Sequence, residues 1–319
     1  MMPYRILLYY KFTEISDYEK FAAEHLTLCQ SLGLLGRIIV APEGINGTVS
    51  GTVEQTDIYQ KTILSDPRFS DMVIKSDPSD KHAFRRLSVK ARTEIVTLGP
   101  DNVNPTEKTG HYLEPPDFYA AMKEPDVVII DARNDYEYDM GHFRGAIRPD
   151  VSNFKEFPAW VRQNLSSYRD KKVLTYCTGG IRCEKFTGLL INEGFKDVYQ
   201  LHGGIVMYGK HPDTKGRDFE GKMYVFDERI GVEVNHTETA SIITRCLYCE
   251  TVTDHFVNCA HLDCHKSFYI CAACDRANQR SCSEACKNAD HHEYRVLGDA
   301  LFEAPLTPRG LFKSILPTS

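Results

Sequence analysis

The stretch Val173-Leu174-Thr175-Tyr176-Cys177-Thr178-Gly179-Gly180-Ile181-Arg182-Cys183-Glu184-Lys185 decides how the middle of this chain folds. An apolar run of strand length ends at a cysteine, two glycines let the backbone turn tightly, and a helical pattern then continues to Gly194. A strand that passes through such a loop into a helix sets free backbone N–H groups around the first loop side chain. Those amides, with Arg182, favour a thiolate at Cys177 and suit an anionic sulfur species, a phosphate or an oxyanion, with Thr178, Gly179, Gly180 and Ile181 forming the cradle. Cys183 falls in the first helical turn, where the helix dipole also lowers a thiol pKa. Both cysteines are therefore candidates for the reacting sulfur, and a persulfide on one resolved by the other is consistent chemistry. The reading requires that sulfur to be ionised and open to ligands at neutral pH.

Outward from this loop, strands at 127–131, 173–176 and 198–201 alternate with helices near 117–122, 157–165 and after Gly180. Strands separated by helices at this spacing imply a parallel sheet covered on both faces, an α/β domain over residues 112–215. Residues 99–111, rich in Gly, Pro and Asn, read as a linker. Before it, residues 1–98 show a strand at 6–12, then a helix carrying Tyr18, Phe21, Ala22, His25, Leu28, Cys29 and Leu32 at helical spacing. Strands at 37–41 and 47–51, a helix at 54–64 and a strand at 72–75 complete a split βαβ, ferredoxin-like (acylphosphatase-like) pattern. His25 and Cys29 lie on the apolar stripe and are expected to pack there.

With 319 residues the chain has room for two or three domains, and 42% hydrophobic with 26% charged residues is an ordinary globular composition. That excludes collagenous, coiled-coil and largely disordered classes. No apolar run approaches the roughly 18 residues needed to cross a bilayer, and the N-terminal apolar run is too short for a signal peptide, so a cytoplasmic address without membrane association is expected. A net charge of −6 means that any polyanion partner must use a local basic patch.

Of eleven cysteines, eight fall between Cys246 and Cys286. They form four close pairs: Cys246 with Cys249, Cys259 with Cys264, Cys271 with Cys274, and Cys282 with Cys286. In a reducing compartment such pairs are metal ligands rather than disulfides, and eight thiolates suffice for about two tetrahedral zinc sites. The spacing leaves open whether the pairs combine in order or interleave, and whether a nearby histidine (His255, His261, His265, His291 or His292) replaces a thiolate. The region 241–319, joined through 216–240, is read as a small module stabilised by structural zinc.

Several separated motifs carry a resemblance. Asp131-Ala132-Arg133, Glu137, Gly141-His142-Phe143-Arg144-Gly145-Ala146, Cys177-x-x-Gly180-x-Arg182 and Gly203-Gly204 together resemble the rhodanese domain. The resemblance implies that Cys177 is the sulfur-carrying residue and that Asp131, Arg133 and His142 brace the domain. With Ala41-Pro42-Glu43-Gly44-Ile45-Asn46-Gly47, Val225-Phe226-Asp227-Glu228-Arg229 and the cysteine-rich region, the whole chain resembles the oxygen-dependent tRNA uridine hydroxylases. That resemblance implies hydroxylation of the wobble uridine, position 34 of tRNA, to 5-hydroxyuridine with O2 as co-substrate and an electron donor that the sequence does not name. A thiolate helps by adding to the pyrimidine and making C5 nucleophilic. Catalytic candidates are Cys177, Cys183 and Arg182. A rhodanese-type sulfurtransferase and a non-enzymatic tRNA-binding module are the alternatives that the loop alone leaves open.

For the anticodon loop, the basic stretch around Arg85, Arg86, Lys90 and Arg92 offers phosphate contacts. Base stacking needs aromatics, for which Tyr9, Tyr10, Phe12 and Phe84 are nearest, although such residues commonly serve as core. The glycine-rich turn at 43–47 either approaches RNA or only joins two strands.

Overall fold

The computed structural model describes residues 2–294. Residues 295–319, the end of the expected C-terminal region, lie outside the described residues. The chain separates into two compact units, residues up to 138 with 145–216, and residues 139–144 with those from 217 onward.

The elements run β1 (Tyr4–Phe12), α1 (Tyr18–Ser31), β2 (Leu35–Ala41), β3 (Gly44–Thr52), α2 (Val53–Leu64), β4 (Lys75–Ser79) and β5 (Leu87–Ala91) through the N-terminal part. There follow β6 (His111–Leu113), α3 (Pro115–Ala121), β7 (Val128–Asp131), α4 (Asp135–Met140), β8 (Gly141–Phe143), α5 (Phe157–Asn164), β9 (Lys172–Tyr176), α6 (Ile181–Asn192), β10 (Asp197–Leu201) and α7 (Gly204–Lys210). The last are β11 (Phe219–Tyr224), β12 (Gly231–Glu233), β13 (Phe256–Asn258), β14 (Ser267–Tyr269), α8 (Ala272–Ala277) and α9 (Glu284–Lys287).

The N-terminal sheet has the order β4-β1-β3-β2-β5, antiparallel except where β5 joins β2 in parallel. This is the expected ferredoxin-like pattern with one strand added at the edge. Along β1 the period of two sends Leu7 and Tyr9 into the core with Ile38, Val49 and Tyr59, while Leu8 and Tyr10 face the other way. The run looks continuously apolar because both faces of the strand are covered. Thr52 and Gln55 close a capping box at the start of α2. The fourth strand begins at Lys75, not Met72. Met72 instead closes a turn on Phe69 and is spent in the core, so pairing with β1 starts only where Lys75 meets Leu8. His25 and Cys29 are packing residues as expected: burial lowers His25 to about 4 and pushes the Cys29 thiol up to about 12.

The second sheet of this unit is wholly parallel, in the order β6-β10-β9-β7. Its edge strand β6 was not expected, since three residues at the end of a breaker-rich segment carry no strand period. Val173, Phe186, Leu190, Val198, Phe157 and Trp160 share the core between sheet and helices. Asp131 and Arg133 form a fully buried ion pair, with the Arg133 amide and Nε both donating to Asp131 Oδ1. The same Asp-x-Arg clasp recurs at Asp66 with Arg68 and, in the other unit, at Asp227 with Arg229. Each folds a guanidinium back on a local turn, which closes the turn while leaving no charge unpaired.

In the second unit β8, β11 and β12 form an antiparallel sheet in which His142 sits opposite Glu220. A short hairpin of β13 and β14 and the two small helices carry the cysteine pairs.

Candidate active site and cysteine clusters

Strand β9 ends at Tyr176, and Cys177 begins the loop that becomes α6 at Ile181. The Gly180 amide donates to Cys177 Sγ at 3.2 Å. Gly180 has a φ of +108°, and a side chain there would collide with the Tyr10 hydroxyl 2.7 Å away, so only glycine gives this amide its aim. The loop is strapped from the far side by α7, whose Ile205 and Val206 amides donate to the Cys177 and Thr178 carbonyls. Gly204, with φ +68°, would place a Cβ 2.6 Å from the Cys177 carbonyl oxygen, which accounts for the Gly203-Gly204 pair.

Cys177 and Cys183 are both completely buried. The sulfur that the reading requires to be open to ligands is closed in this structure: it packs in the core between the parallel sheet and its helices, while Leu8 and Tyr10 of β1 lie against Gly179 and Gly180 of the loop. The surrounding groups favour the ionised form of Cys177. Burial works against ionisation of Cys177, but the Cys183 thiol, the Arg182 charge and the Cys183 and Gly180 amides outweigh it and bring the thiol down to about 6. Cys183 moves the other way, raised by burial and by its thiolate neighbour. The pair's electrostatics therefore favour the charge on Cys177 rather than on Cys183.

Arg182 does not hold an incoming anion directly. Its guanidinium is forked onto Glu137, with contacts of 2.5 and 2.8 Å, and it touches Thr178 Oγ1 at 3.2 Å. Burial opposes the Glu137 charge, yet Arg182 holds that carboxyl below the usual range. Arg182 acts on Cys177 through its field rather than through contact.

The next residues of α6 reach the N-terminal strands. Glu184 accepts from the hydroxyls of Tyr10 (2.9 Å) and Tyr112 (2.7 Å). Lys185, completely buried, is held 2.7 Å from both Glu43 and Glu94. From β4, Lys75 donates to the Gly179 carbonyl at 2.9 Å, and burial lowers its pKa to about 8. The turn at 43–47 therefore joins β2 to β3 and also supplies an acid that clamps α6. Sequence reasoning missed Lys75 and Tyr112 as neighbours of the loop, and it placed Lys185 in the loop peptide without its partners Glu43 and Glu94. A lysine ending an apolar run gives no sign that its ammonium ends on another domain's backbone.

Beside the loop lies a cavity of about 360 Å³ whose walls include Tyr10, Phe12, Lys75, Tyr112, Glu184 and His202. Neither cysteine reaches it. Lys75 and Tyr10 are shared between the cavity wall and the cover of the loop.

In the other unit the eight cysteines gather into two groups, Cys246, Cys249, Cys271 and Cys274, and Cys259, Cys264, Cys282 and Cys286. The pairs interleave, first with third and second with fourth. All sulfurs of a group lie within 4.8 Å of one another, and neighbouring pairs such as Cys249 with Cys271 and Cys264 with Cys282 are 3.6 and 3.5 Å apart. Four thiolates about 2.3 Å from a tetrahedral ion stand roughly 3.8 Å apart, while a disulfide requires about 2.05 Å. The groups therefore fit a metal ion and do not fit cystine. No histidine belongs to either group.

Three family models match the chain in sequence order: an "acylphosphatase like domain" over residues 4–95, a "Rhodanese-like domain" over 114–211 and a "Rhodanase C-terminal" segment over 220–287. A protein of Bacillus mycoides named tRNA uridine(34) hydroxylase is 52% identical over 92% of this chain and 92% of its own length, and one of Bacillus cereus with the same name is 53% identical over the same shares. This chain belongs to the tRNA uridine(34) hydroxylase family. A solved rhodanese-like domain from Anabaena is 21% identical, covers 34% of this chain and 78% of that chain, and superposes with a TM-score of 0.29.

Against that family, Arg85, Arg86, Lys90 and Arg92 all lie exposed on or beside the added edge strand β5. Tyr9 is core, bonded to Tyr59, whereas Tyr10 and Phe12 line the cavity and Phe84 is half-buried. No helix among the described residues is long and apolar enough to cross a membrane.

Because the thiolate fraction rises with pH, alkylation of Cys177 followed by mass spectrometry should show a rate rising through a midpoint near 6. Cys183→Ala removes the neighbouring thiol that favours the thiolate and should move the midpoint up. A midpoint of 8 or above in the unaltered protein would contradict the assigned thiolate.

Proposed function

We propose that this protein hydroxylates C5 of the uridine at position 34 of tRNA, with Cys177 as the reacting thiolate. The observation that supports it best is the cradle of Cys177, whose sulfur accepts from the Gly180 amide at 3.2 Å beside the fixed charge of Arg182, a setting that favours the thiolate. Family membership at 52% identity over 92% of the chain supplies the substrate.

The thiolate adds to C6 of uracil, and the C5–C6 π pair moves onto C5 and O4 as an enolate. C5 then bonds to an oxygen atom from O2. Loss of the C5 proton and expulsion of the thiolate restore the ring. The other oxygen atom leaves as water, taking two protons and two electrons from a dithiol that becomes a disulfide. Cys183 keeps the resting sulfur ionised, and Arg182 with Glu137 holds the loop's charge in place. Because Cys177 is buried and does not line the cavity, this reading requires the loop to open before the base meets the sulfur.

Partners follow from the same reading: the anticodon loop of tRNA, its phosphates at Arg85, Arg86, Lys90 and Arg92, in the cytoplasm where tRNA is found. The two cysteine groups each take one zinc ion, whose binding supplies folding energy to a segment with little apolar core of its own. Zinc there is structural, since four thiolates leave it no open position.

Cys177→Ser should abolish 5-hydroxyuridine formation, losing at least about 10³-fold in rate, as read by nucleoside mass spectrometry of tRNA incubated with the protein. Full activity of that variant would end the thiolate account, and thiosulfate-to-cyanide sulfur transfer without any change in tRNA nucleosides would favour a sulfurtransferase. Metal analysis of the purified chain should find about two zinc ions. A chelator should remove them with loss of the second unit's cooperative melting, and a metal-free chain that melts unchanged would contradict the structural role.

A further inference from the structure

The first turn of α6 and the N-terminal strands leave unspent hydrogen-bonding capacity at one place in the cavity. Lys75 is 6% exposed, and its ammonium carries three N–H groups. One donates to Gly179 O, and among the described residues no second hydrogen-bond acceptor is present for the other two. Glu184 is also 6% exposed. Among the described residues its Oε1 accepts only from Tyr10, whereas Oε2 accepts from Tyr112, Thr109 and Gln200. A carboxylate oxygen accepts two hydrogen bonds, so Oε1 retains one site. Both groups line the same cavity, between the rings of Tyr10, Phe12 and Tyr112. A buried cation and a buried carboxylate with spare capacity are costly unless something completes them.

What completes such a pair is a flat ring presenting a carbonyl oxygen beside an N–H. Uracil does so along its pairing edge, with O4 as acceptor and N3–H as donor. Cytosine reverses both, offering N4–H₂ where Lys75 already donates and an unprotonated N3 where Glu184 already accepts. The volume, about 360 Å³, lies at the small end of the range for organic ligands and suits one unstacked nucleoside with room for its sugar. Aromatic walls match the way bases from RNA loops are received.

We propose that this cavity is the seat of the target base, in which Lys75 donates to a uracil carbonyl oxygen and Glu184 accepts from N3–H, so that the two residues select uridine over cytidine. The inference rests on the reading that tRNA uridine is the substrate. Lys75 also touches the loop through Gly179, which ties the cavity wall to the loop that carries Cys177. Lys75 is in this sense a specificity residue of the N-terminal domain.

The test compares two anticodon stem-loop RNAs, identical except for U or C at position 34, binding to the full chain by fluorescence anisotropy. The unaltered protein should bind the U34 RNA about 10-fold or more tighter, the size expected for hydrogen bonds to charged groups. Lys75→Met should remove that preference while leaving C34 affinity, which rests on phosphate contacts, within about 2-fold. If Lys75→Met weakens both RNAs, Lys75→Arg decides: a restored U34 preference supports the seat, and its absence overturns it. Equal binding of the two RNAs by the unaltered protein, or an undiminished U34 preference in Lys75→Met, overturns the inference as well. Formation of 5-hydroxyuridine by the unaltered protein is scored separately, so that loss of the base seat and loss of the hydroxylase reading are told apart.

Discussion

One helical turn carries the constraint on which the catalytic unit depends. At the start of α6 three successive charged positions point in different directions: Arg182 to Glu137, Glu184 to Tyr10 and Tyr112, Lys185 to Glu43 and Glu94. All three side chains are nearly or wholly removed from water, where an unpaired charge costs about 3–5 kcal/mol once its partner is taken away. Such pairs add little net stability compared with apolar packing, but they tolerate only one arrangement of the groups they join. Here that arrangement fixes the cysteine loop relative to its own sheet through Glu137 and relative to the N-terminal strands through the other two. The Asp131–Arg133 clasp holds the neighbouring strand end in the same manner.

The chemistry of the loop follows from this wiring. Arg182 is spent on Glu137 and so remains a fixed positive charge near Cys177 instead of a mobile anion clamp. The sulfur gains its ionisation from amides, a thiol and a field, none of which requires solvent. Burial of a thiolate is then compatible with protecting it from oxidants until substrate arrives. The second unit solves a different problem: short strands and two small helices bury little apolar surface, and eight converging sulfurs replace the missing core.

The architecture was legible wherever local pattern and tertiary role agreed. The run 173–176 ends in a buried parallel strand, Cys177 receives an amide, and the four cysteine pairs close into two groups, because spacing along the chain and geometry in space coincide there. Pairing order among the cysteines was not legible, since interleaving depends on how the hairpin of β13 and β14 brings the first pair to the third. Lys75, Tyr112 and Lys185 escaped for a similar reason. Lys75 and Lys185 reach groups of another domain and Tyr112 reaches Glu184 from an edge strand with no pattern of its own, and a lone lysine or tyrosine looks the same whether its polar end meets water or such a partner. The burial of Cys177 was hidden too, because a cysteine that follows a buried strand reads the same whether its sulfur faces an open cradle or the core between sheet and helices.

The central claim is that the N-terminal strands are clamped over an ionised Cys177 by charges at the start of α6. The most direct measurement is the rate at which iodoacetamide modifies Cys177 at pH 7 in the unaltered protein and in Lys185→Met, which leaves Glu43 and Glu94 without their cation. The account predicts slow modification in the first and at least a 10-fold faster rate in the second. Equal rates, or modification of the unaltered protein as fast as a free thiolate, would contradict it.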